Sequence, residues 1–473
     1  MVTFEAYQLT CFDHLFSLFY GGCALSFHIS CPEEAVPILC GGLERLVSHL
    51  PFLAGKVSQS GKIAGVHPIP TTTSGSSPPI AVVRHFPKLR LFCKPGSRSQ
   101  LCRDYIRDES LILAPYELCS LAGTPVARFQ INVLADGIIL VPWVNHMAID
   151  GIGVDNMTRA LSICCQADNN PLKARQLPTD PSVEADTRAV LANFARSQTN
   201  TITNSGTETD GPPTLGEGEH NVSSLVDYNF CFAASKVQRL RNCVRSLWPE
   251  NKDSDQPIPR ISCDDIVTVF IWIALTSLRQ DGMSINHGTM KSTLTRAVDI
   301  RNRFSNPIPS TYFGNCVVLL KESLPLEVPQ WRNTLPGDDD QKSCSTLAPV
   351  LHRAADVLRS RLQSLDDQYI REIFSSPHLP DADPGPNVFV SSLRHLSSYK
   401  HDFGPVLGQA NGFHLLPYMR PDGVCTIMPK RPDQDDWDIM VTLNPKDMEL
   451  LRQDSWFQWM SQTTTPITLF ESL

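Results

Sequence analysis

The segment Asn145-His146-Met147-Ala148-Ile149-Asp150-Gly151 holds the residues best suited to chemistry at short range. An imidazole titrates near working pH, so His146 is able to take a proton from an acceptor hydroxyl or amine and return it later in a reaction. Asp150 follows four residues on, and Gly151 after it permits a sharp backbone turn. Taken alone, the spacing has a second reading: a hydrogen-bonded core histidine beside an aspartate that caps a helix. A metal centre is not expected, because no second His or Cys falls at ligand spacing from His146.

The element that must position His146 is a hairpin. Residues 125–134 and 137–144 are β-rich runs joined through Ala135-Asp136-Gly137, an antiparallel turn signal, so His146 sits where a buried strand ends. Residues 154–165 then have helical spacing. In the second half, Ser262 precedes Asp265 as in a capping box, and Ile266, Val269, Phe270 and Ile273 follow on an interior helix. Residues 293–300 read as a strand, and 423–428 with 437–443 as a strand pair. Asn444-Pro445 opens a terminal helix expected to run to about Met460. Strands and helices mix without the alternation of a nucleotide-binding fold, which predicts an α+β or mixed-sheet architecture.

Composition sets the outer limits. The chain has 473 residues, 42% hydrophobic, with 41 Lys plus Arg against 49 Asp plus Glu and a formal net charge of -8. That length suits two large domains, and the absence of a dense basic stripe argues against nucleic acid as a partner. The N-terminus lacks a basic start with an apolar run, and the longest apolar runs fall short of the ~20 residues that span a bilayer, so a cytoplasmic protein with no membrane partner is expected. The 15 cysteines include no C-x-x-C pair and read as reduced thiols. Asn156-Met-Thr and Asn221-Val-Ser match a glycosylation pattern that means little without a secretory route. Residues 196–224 contain hardly any large apolar side chain and read as a mobile linker between domains at 1–195 and 225–473.

Two further motifs follow the His146 segment. One is Ala297-Val-Asp299-Ile-Arg301-Asn-Arg303-Phe304 with Tyr312-Phe313-Gly314-Asn315 after it; the other is Ser391-Ser392 and Tyr399 before Asp402-Phe403-Gly404. Together they resemble the BAHD acyltransferase superfamily, in particular its fungal branch similar to trichothecene 3-O-acetyltransferase, whose members carry His-x-x-x-Asp-Gly, Val-Asp-x-Arg-x-Arg, Tyr-Phe-Gly-Asn and Asp-Phe-Gly-Trp-Gly stretches. Weaker echoes at Phe12-Asp13-His14-Leu15, at Leu50 to Lys56 and at Met428-Pro429-Lys430 extend the likeness over nearly the whole chain. Departures are Asn145 in place of a second His, Leu393 in place of Trp after Ser392, and Pro405 in place of the Trp after Gly404.

The resemblance implies two chloramphenicol-acetyltransferase-like domains with mixed β-sheets flanked by helices, joined by a long crossover loop, with a channel between them. It implies a monomeric CoA-dependent acyltransferase that moves an acetyl or other short acyl group from acyl-CoA, a cosubstrate and not a permanently bound cofactor, to a hydroxyl or amine of a small-molecule secondary metabolite. His146 would be the general base. Asp150 would pair with Arg301, and Gly151, Asp299, Asp402 and Gly404 would be structural. Lys291, Ser292, Thr293, Arg303, Ser391 and Ser392 are candidate CoA contacts. Two alternatives stay open on the same fold: a condensation-type enzyme fed by a carrier protein, and a binding paralogue without chemistry.

Overall fold

In the computed structural model, residues 4–16, 20–60, 63–69, 80–91, 124–166, 177, 179–196, 225–248, 260–280, 291–325, 334–337, 339–375, 387–416 and 421–466 are described. Of the linker expected at 196–224 only Arg196 is among them, at the end of a helix, and the second glycosylation pattern at Asn221 lies outside them. Three sheets carry the fold. A five-stranded sheet runs β13 (Gly412–Leu415), β2 (Tyr20–His28), β8 (Gly137–Asn145), β7 (Ala127–Leu134), β5 (Ala81–Phe86). A seven-stranded sheet runs β11 (Val317–Pro325), β10 (Lys291–Asp299), β12 (Asn387–Ser392), β14 (Val424–Ile427), β15 (Trp437–Leu443), β9 (Val226–Phe232), β16 (Ser461–Pro466). A small sheet orders β1 (Tyr7–Gln8), β4 (Ile63–His67), β3 (Lys56–Ser60) and β6 (Thr124–Pro125).

Both large sheets are mixed. The β5–β7 pair in the first and the β10–β12 and β12–β14 pairs in the second are parallel, and the remaining pairs are antiparallel. The first half and the second half of the chain do not keep entirely to separate sheets, since β13 pairs with β2 at the edge of the first sheet.

The hairpin expected from sequence is present, with Ala127 opposite Val144 and Val133 opposite Ile138. Its apolar residues alternate because successive strand side chains point to opposite faces. Phe129, Ile131, Ile138, Leu140 and Val144 face a core shared with helices α1 (Pro32–His49) and α2 (Gly151–Cys165). In the first half α3 (Pro181–Arg196) follows, and the second half adds α4 (Ala234–Arg245), α5 (Cys263–Gln280), α6 (Asp340–Gln363) and α7 (Asp367–Ser375). The interior helix α5 starts as predicted, with the Ser262 and Asp265 side chains exchanging hydrogen bonds with each other's backbone N–H at 3.2 and 2.7 Å.

The terminal helix is shorter than expected. α8 (Pro445–Gln453) is capped by Asn444, which accepts from the Asp447 N–H, and it stops at Asp454, which caps a new helix, α9 (Ser455–Met460). An aspartate that bonds the Phe457 N–H offers the backbone an alternative to continuing the first helix. Asn156 lies in α2, where its amide donates to the Ser310 carbonyl at 2.8 Å, so its side chain is committed to the interior. Among the described residues all twelve cysteines are free, and no helix is long and apolar enough to cross a membrane.

Candidate active site

Asn145 ends β8 and builds the turn that presents His146. Its side-chain oxygen accepts from the Met147 N–H at 3.0 Å, and its carbonyl accepts from Ala148 at 2.9 Å and Ile149 at 3.2 Å. From 137 to 150 every residue is buried except His146, which is half-buried. Its ring stacks on Phe16, with centroids 4.2 Å apart. The ring also meets its own backbone carbonyl, and that carbonyl accepts a 2.9 Å hydrogen bond from the Asn315 amide. Burial pushes the imidazole below its ordinary value of 6.5, opposed by those hydrogen bonds and by the Asp150 charge. The ring is therefore neutral at neutral pH and able to accept a proton.

Asp150 turns away from that ring. It caps α2 through the Gly153 N–H at 2.8 Å and receives Arg301 Nη2 at 3.0 and 2.9 Å on its two oxygens. Both side chains are 1% exposed. Arg301 also donates to Asp299 at 2.8 Å and to the carbonyls of Tyr312 at 3.2 Å and Gly314 at 2.9 Å. Nearby carboxylates hold the guanidinium well above its usual range, against the effect of burial.

Residues 312–316 form a strap whose peptide groups are tied down by buried charges. The Phe313 N–H donates to Glu184 at 3.0 Å, the Asn315 N–H to Asp13 at 3.3 Å and the Cys316 N–H to Asp150 at 3.1 Å. The Asn315 amide bridges Asp13 at 2.9 Å and the His146 carbonyl at 2.9 Å. Burial pushes Asp13 up to about 6 and Glu184 up to about 7. The strap passes so close to α2 that a Cβ on Gly153 would lie 2.0 Å from the Phe313 oxygen. A side chain there has no room.

The structure brings His146, Asp150, Asp299 and Arg301 together with Gly151 beside them, and places Asp402, Gly404, Lys291, Ser292 and Thr293 farther away. Gly151 begins α2 without a positive φ, and a Cβ there would meet only Leu393 at 3.4 Å. The turn it was expected to make is made by Asn145 upstream, and the glycine that space demands is Gly153. Asp402 and Gly404 lie by Gln166 at the far end of α2, whose 15 residues put them roughly 22 Å from its start. There Asp402 accepts from the Gly404 N–H at 2.9 Å, Gly404 has φ +99, and the loop closes through the Phe403 N–H to the Gly408 carbonyl at 2.8 Å and the Gly408 N–H to the Gly404 carbonyl at 2.7 Å.

Lys291, Ser292 and Thr293 open β10, roughly 20–26 Å along the strand from Asp299. Ser292 is buried, its hydroxyl bonded to Trp272 at 2.8 Å and Thr276 at 2.5 Å, and Thr293 meets Ser323 at 3.2 Å. Adjacent on the strand, they point to opposite faces, Ser292 toward the interior helix α5 and Thr293 toward Ser323 of β11. Arg303 is exposed and donates to the Leu362 carbonyl at 3.4 Å. Ser391 and Ser392 end β12 next to Leu393, which touches the start of α2, and Ser392 donates to Asp264 at 2.5 Å. Sequence reasoning missed Asp13, Glu184 and Gly153 as structural partners and gave Asn315 no role. The motif containing Asn315 was visible, but its long-range partners were not.

Comparison with known proteins completes the description. The sequence model of the Transferase family matches residues 111–457. The chain belongs to this family, the BAHD acyltransferases. Among its BAHD relatives, the O-acetyltransferase cpsE of Aspergillus campestris is 30% identical, over 99% of each chain. The communesin N16 acyltransferase cnsK of Penicillium expansum is 29% identical, over 97% of this chain and 98% of its own. Among solved structures, TRI101 of F. sporotrichioides complexed with coenzyme A and T-2 superposes with a TM-score of 0.63 at 20% identity, covering 98% of this chain and 100% of its own. The two-domain BAHD fold expected from sequence is therefore the fold of this chain.

Proposed function

We propose that this BAHD enzyme transfers an acetyl or other short acyl group from acyl-CoA to a hydroxyl, or an amine, of a small fungal secondary metabolite, with His146 as general base. The names of the relatives, an O-acetyltransferase and an acyltransferase, support the reaction class, and coenzyme A in the F. sporotrichioides structure supports the cosubstrate. The observation that carries the reading is the accessibility of His146 within an otherwise buried run from 137 to 150, on a carbonyl held by Asn315.

The ring nitrogen Nδ1 is enclosed by protein, which leaves Nε2 to face the acceptor. Nε2 removes the hydroxyl proton as the acceptor oxygen forms a bond to the thioester carbonyl carbon. The C–S bond then breaks, and the imidazolium returns its proton to the CoA thiolate. No covalent acyl-enzyme is needed, because a thioester is already activated and positioning supplies much of the acceleration. Asp150 and Arg301 hold the frame and do not touch substrate. Lys291, Ser292, Thr293, Arg303, Ser391 and Ser392 remain the candidate contacts for CoA, of which Lys291 and Arg303 are exposed. The enzyme acts as a cytoplasmic monomer with domains at 1–195 and 225–473, the first completed by β13 from the second.

The test is incubation with acetyl-CoA and a panel of fungal alkaloid and terpenoid alcohols, followed by mass spectrometry. Acetylated product that disappears in His146→Ala is expected. Transfer that survives this substitution, that needs a loaded carrier protein, or that never occurs despite acceptor binding would overturn the reading.

A further inference from the structure

Two arms that start from one buried carboxylate reach His146. Asp13 Oδ2 accepts from the Thr10 N–H at 2.6 Å and from the Thr10 hydroxyl at 2.8 Å, which fixes a single 3₁₀ turn over Asp13–Leu15. The turn closes with the Phe16 N–H on the Asp13 carbonyl at 3.3 Å. Asp13 Oδ1 accepts from the Asn315 amide at 2.9 Å, and that amide also donates to the His146 carbonyl. One oxygen of Asp13 thus sets where Phe16 sits, and the other sets where His146 sits. Phe12 roots the turn in the core of the second half, edge-on to Phe374 and Phe304 with centroids 4.5 and 6.1 Å apart.

The half-buried Phe16 covers one face of the imidazole, with the two ring planes 28° apart. On the edge of the ring, a Cβ placed on Gly21 of β2 would lie 3.7 Å from Cδ2 of His146, and Nδ1 is enclosed by protein. These contacts fix the ring plane and the direction in which Nε2 points. The stack also has a charge preference. A phenyl face carries the negative side of the π quadrupole, so a cation within about 6 Å of its centroid is attracted, and the 4.2 Å stack lies inside that limit. The attraction is stronger for the imidazolium than for the neutral ring, which is the property a contact needs to speed proton removal.

We propose that Phe16 is a positioning residue for the transfer: its ring sets the plane of the His146 imidazole and stabilises the imidazolium that proton removal creates. The inference rests on the reading of His146 as general base. The titratable groups on the elements packed around the ring are Asp13 and His14 beside Phe16, Tyr20 and Cys23 on β2, Asp150 on the same turn as His146, and Cys316 on the strap. Of these, Asp150 acts on the ring through its charge, in the same upward direction as Phe16. Asp13 is committed to Thr10 and Asn315, and the Tyr20 hydroxyl donates to the Pro125 carbonyl at 2.8 Å.

The test compares the full chain with Phe16→Leu, which keeps the bulk and loses the π face, and Phe16→Tyr, which keeps both. Histidine labelled with carbon-13 at Cε1 is titrated by NMR, the His146 signal being assigned by its loss in His146→Gln. This measurement needs neither acyl-CoA nor acceptor. The Hε1 proton of His146 should be shielded by the Phe16 ring in wild type, move downfield in Phe16→Leu and stay in place in Phe16→Tyr. The titration midpoint should fall by about 0.4–0.7 pH unit in Phe16→Leu, the size of a partly exposed cation–π contact. In the transfer assay, kcat should fall about three- to tenfold in Phe16→Leu with KM within about twofold, and Phe16→Tyr should restore it. A His146 signal and midpoint unchanged in Phe16→Leu refute the proposal, as does a midpoint that rises or a Phe16→Tyr protein that behaves like Phe16→Leu. A kinetic change confined to KM refutes it too, because Phe16 is then only a wall of the acceptor site. A wild type that transfers nothing sinks the acyltransferase reading, while the NMR titration still decides on Phe16. If Phe16→Leu does not fold, Phe16→Met takes its place with the same expected shifts.

Discussion

Replacing Asp150 with alanine separates a structural carboxylate from a chemical one. The pair it forms with Arg301 is buried at both ends, each side chain 1% exposed, and Asp150 also receives the N–H groups of Gly153 and Cys316. Removing one partner of such a pair costs roughly 3–5 kcal/mol, because the other charge is left without compensation. Arg301 retains Asp299 at 2.8 Å, which puts Asp150→Ala toward the lower end of that range. Arg301→Met belongs toward the upper end, since it also strips the Tyr312 and Gly314 carbonyls of their donor. At about 2–4 °C per kcal/mol for a domain of about 200 residues, Asp150→Ala should lower the melting temperature by roughly 6–12 °C. The double variant should lose less than the sum of the two, with a coupling on the order of 1–3 kcal/mol. Scanning calorimetry of the four proteins gives the stability cycle, and release of CoA thiol at 20 °C gives activity. An Asp150→Ala enzyme that melts within a degree of wild type yet has lost transfer would refute the reasoning and move Asp150 into the chemistry.

Other outcomes follow from the same contacts. His146→Ala should cut transfer by roughly 10²–10⁴-fold with the fold intact by circular dichroism. Because burial lowers the imidazole below 6.5, the base form persists into mildly acid solution, and the acid limb of kcat/KM should have its midpoint under 6.5; a midpoint above that value contradicts the assigned base. Glu184 is raised from 4.5 to about 7, so the folded protein holds a proton that the unfolded chain has released across this window, and stability falls as pH rises through it. Glu184→Gln should remove a decline on the order of 3 kcal/mol between pH 4.5 and 7, read as a flatter curve of melting temperature against pH than wild type gives. Gly153→Ala should destabilise despite a helix-propensity gain of about 1 kcal/mol, since the new methyl meets the Phe313 oxygen; Gly151→Ala should be nearly neutral, and equal melting temperatures for the two variants would show that the strap yields.

What the sequence made legible was local or carried by a motif. The 125–144 hairpin could be read because two β-rich runs and an Asp-Gly turn lie within a short window, and the strand end at His146 followed from it. The Asp150–Arg301 pair came from the family pattern, since no local rule connects residues 151 positions apart. The terminal helix was read too long because Asn444-Pro445 signals a start strongly, while Asp454, a second cap within the same helical pattern, was passed over. The strand β13 has four residues and no periodicity to find, and only its partner β2, far away in the chain, makes it a strand. The CoA contacts expected at Ser292 and Thr293 rest on a weaker signal. Polarity next to a motif does not say which way a strand side chain points, and both hydroxyls are taken up by neighbours in the protein.

The strap at 312–316 shows why neither half of the chain can hold the site alone. Its N–H groups end on carboxylates from the first half, Asp13, Asp150 and Glu184, and its carbonyls at 312 and 314 end on Arg301 from the second. A buried peptide group left unpaired costs as much as a lost hydrogen bond, so the strap keeps its path only while both sides are present. Asn315 converts that path into the placement of a ring, because one amide group spans Asp13 and the carbonyl of His146. The imidazole is therefore aimed by a residue 169 positions away, and its accessibility, unlike that of its buried neighbours, depends on the seam between the halves.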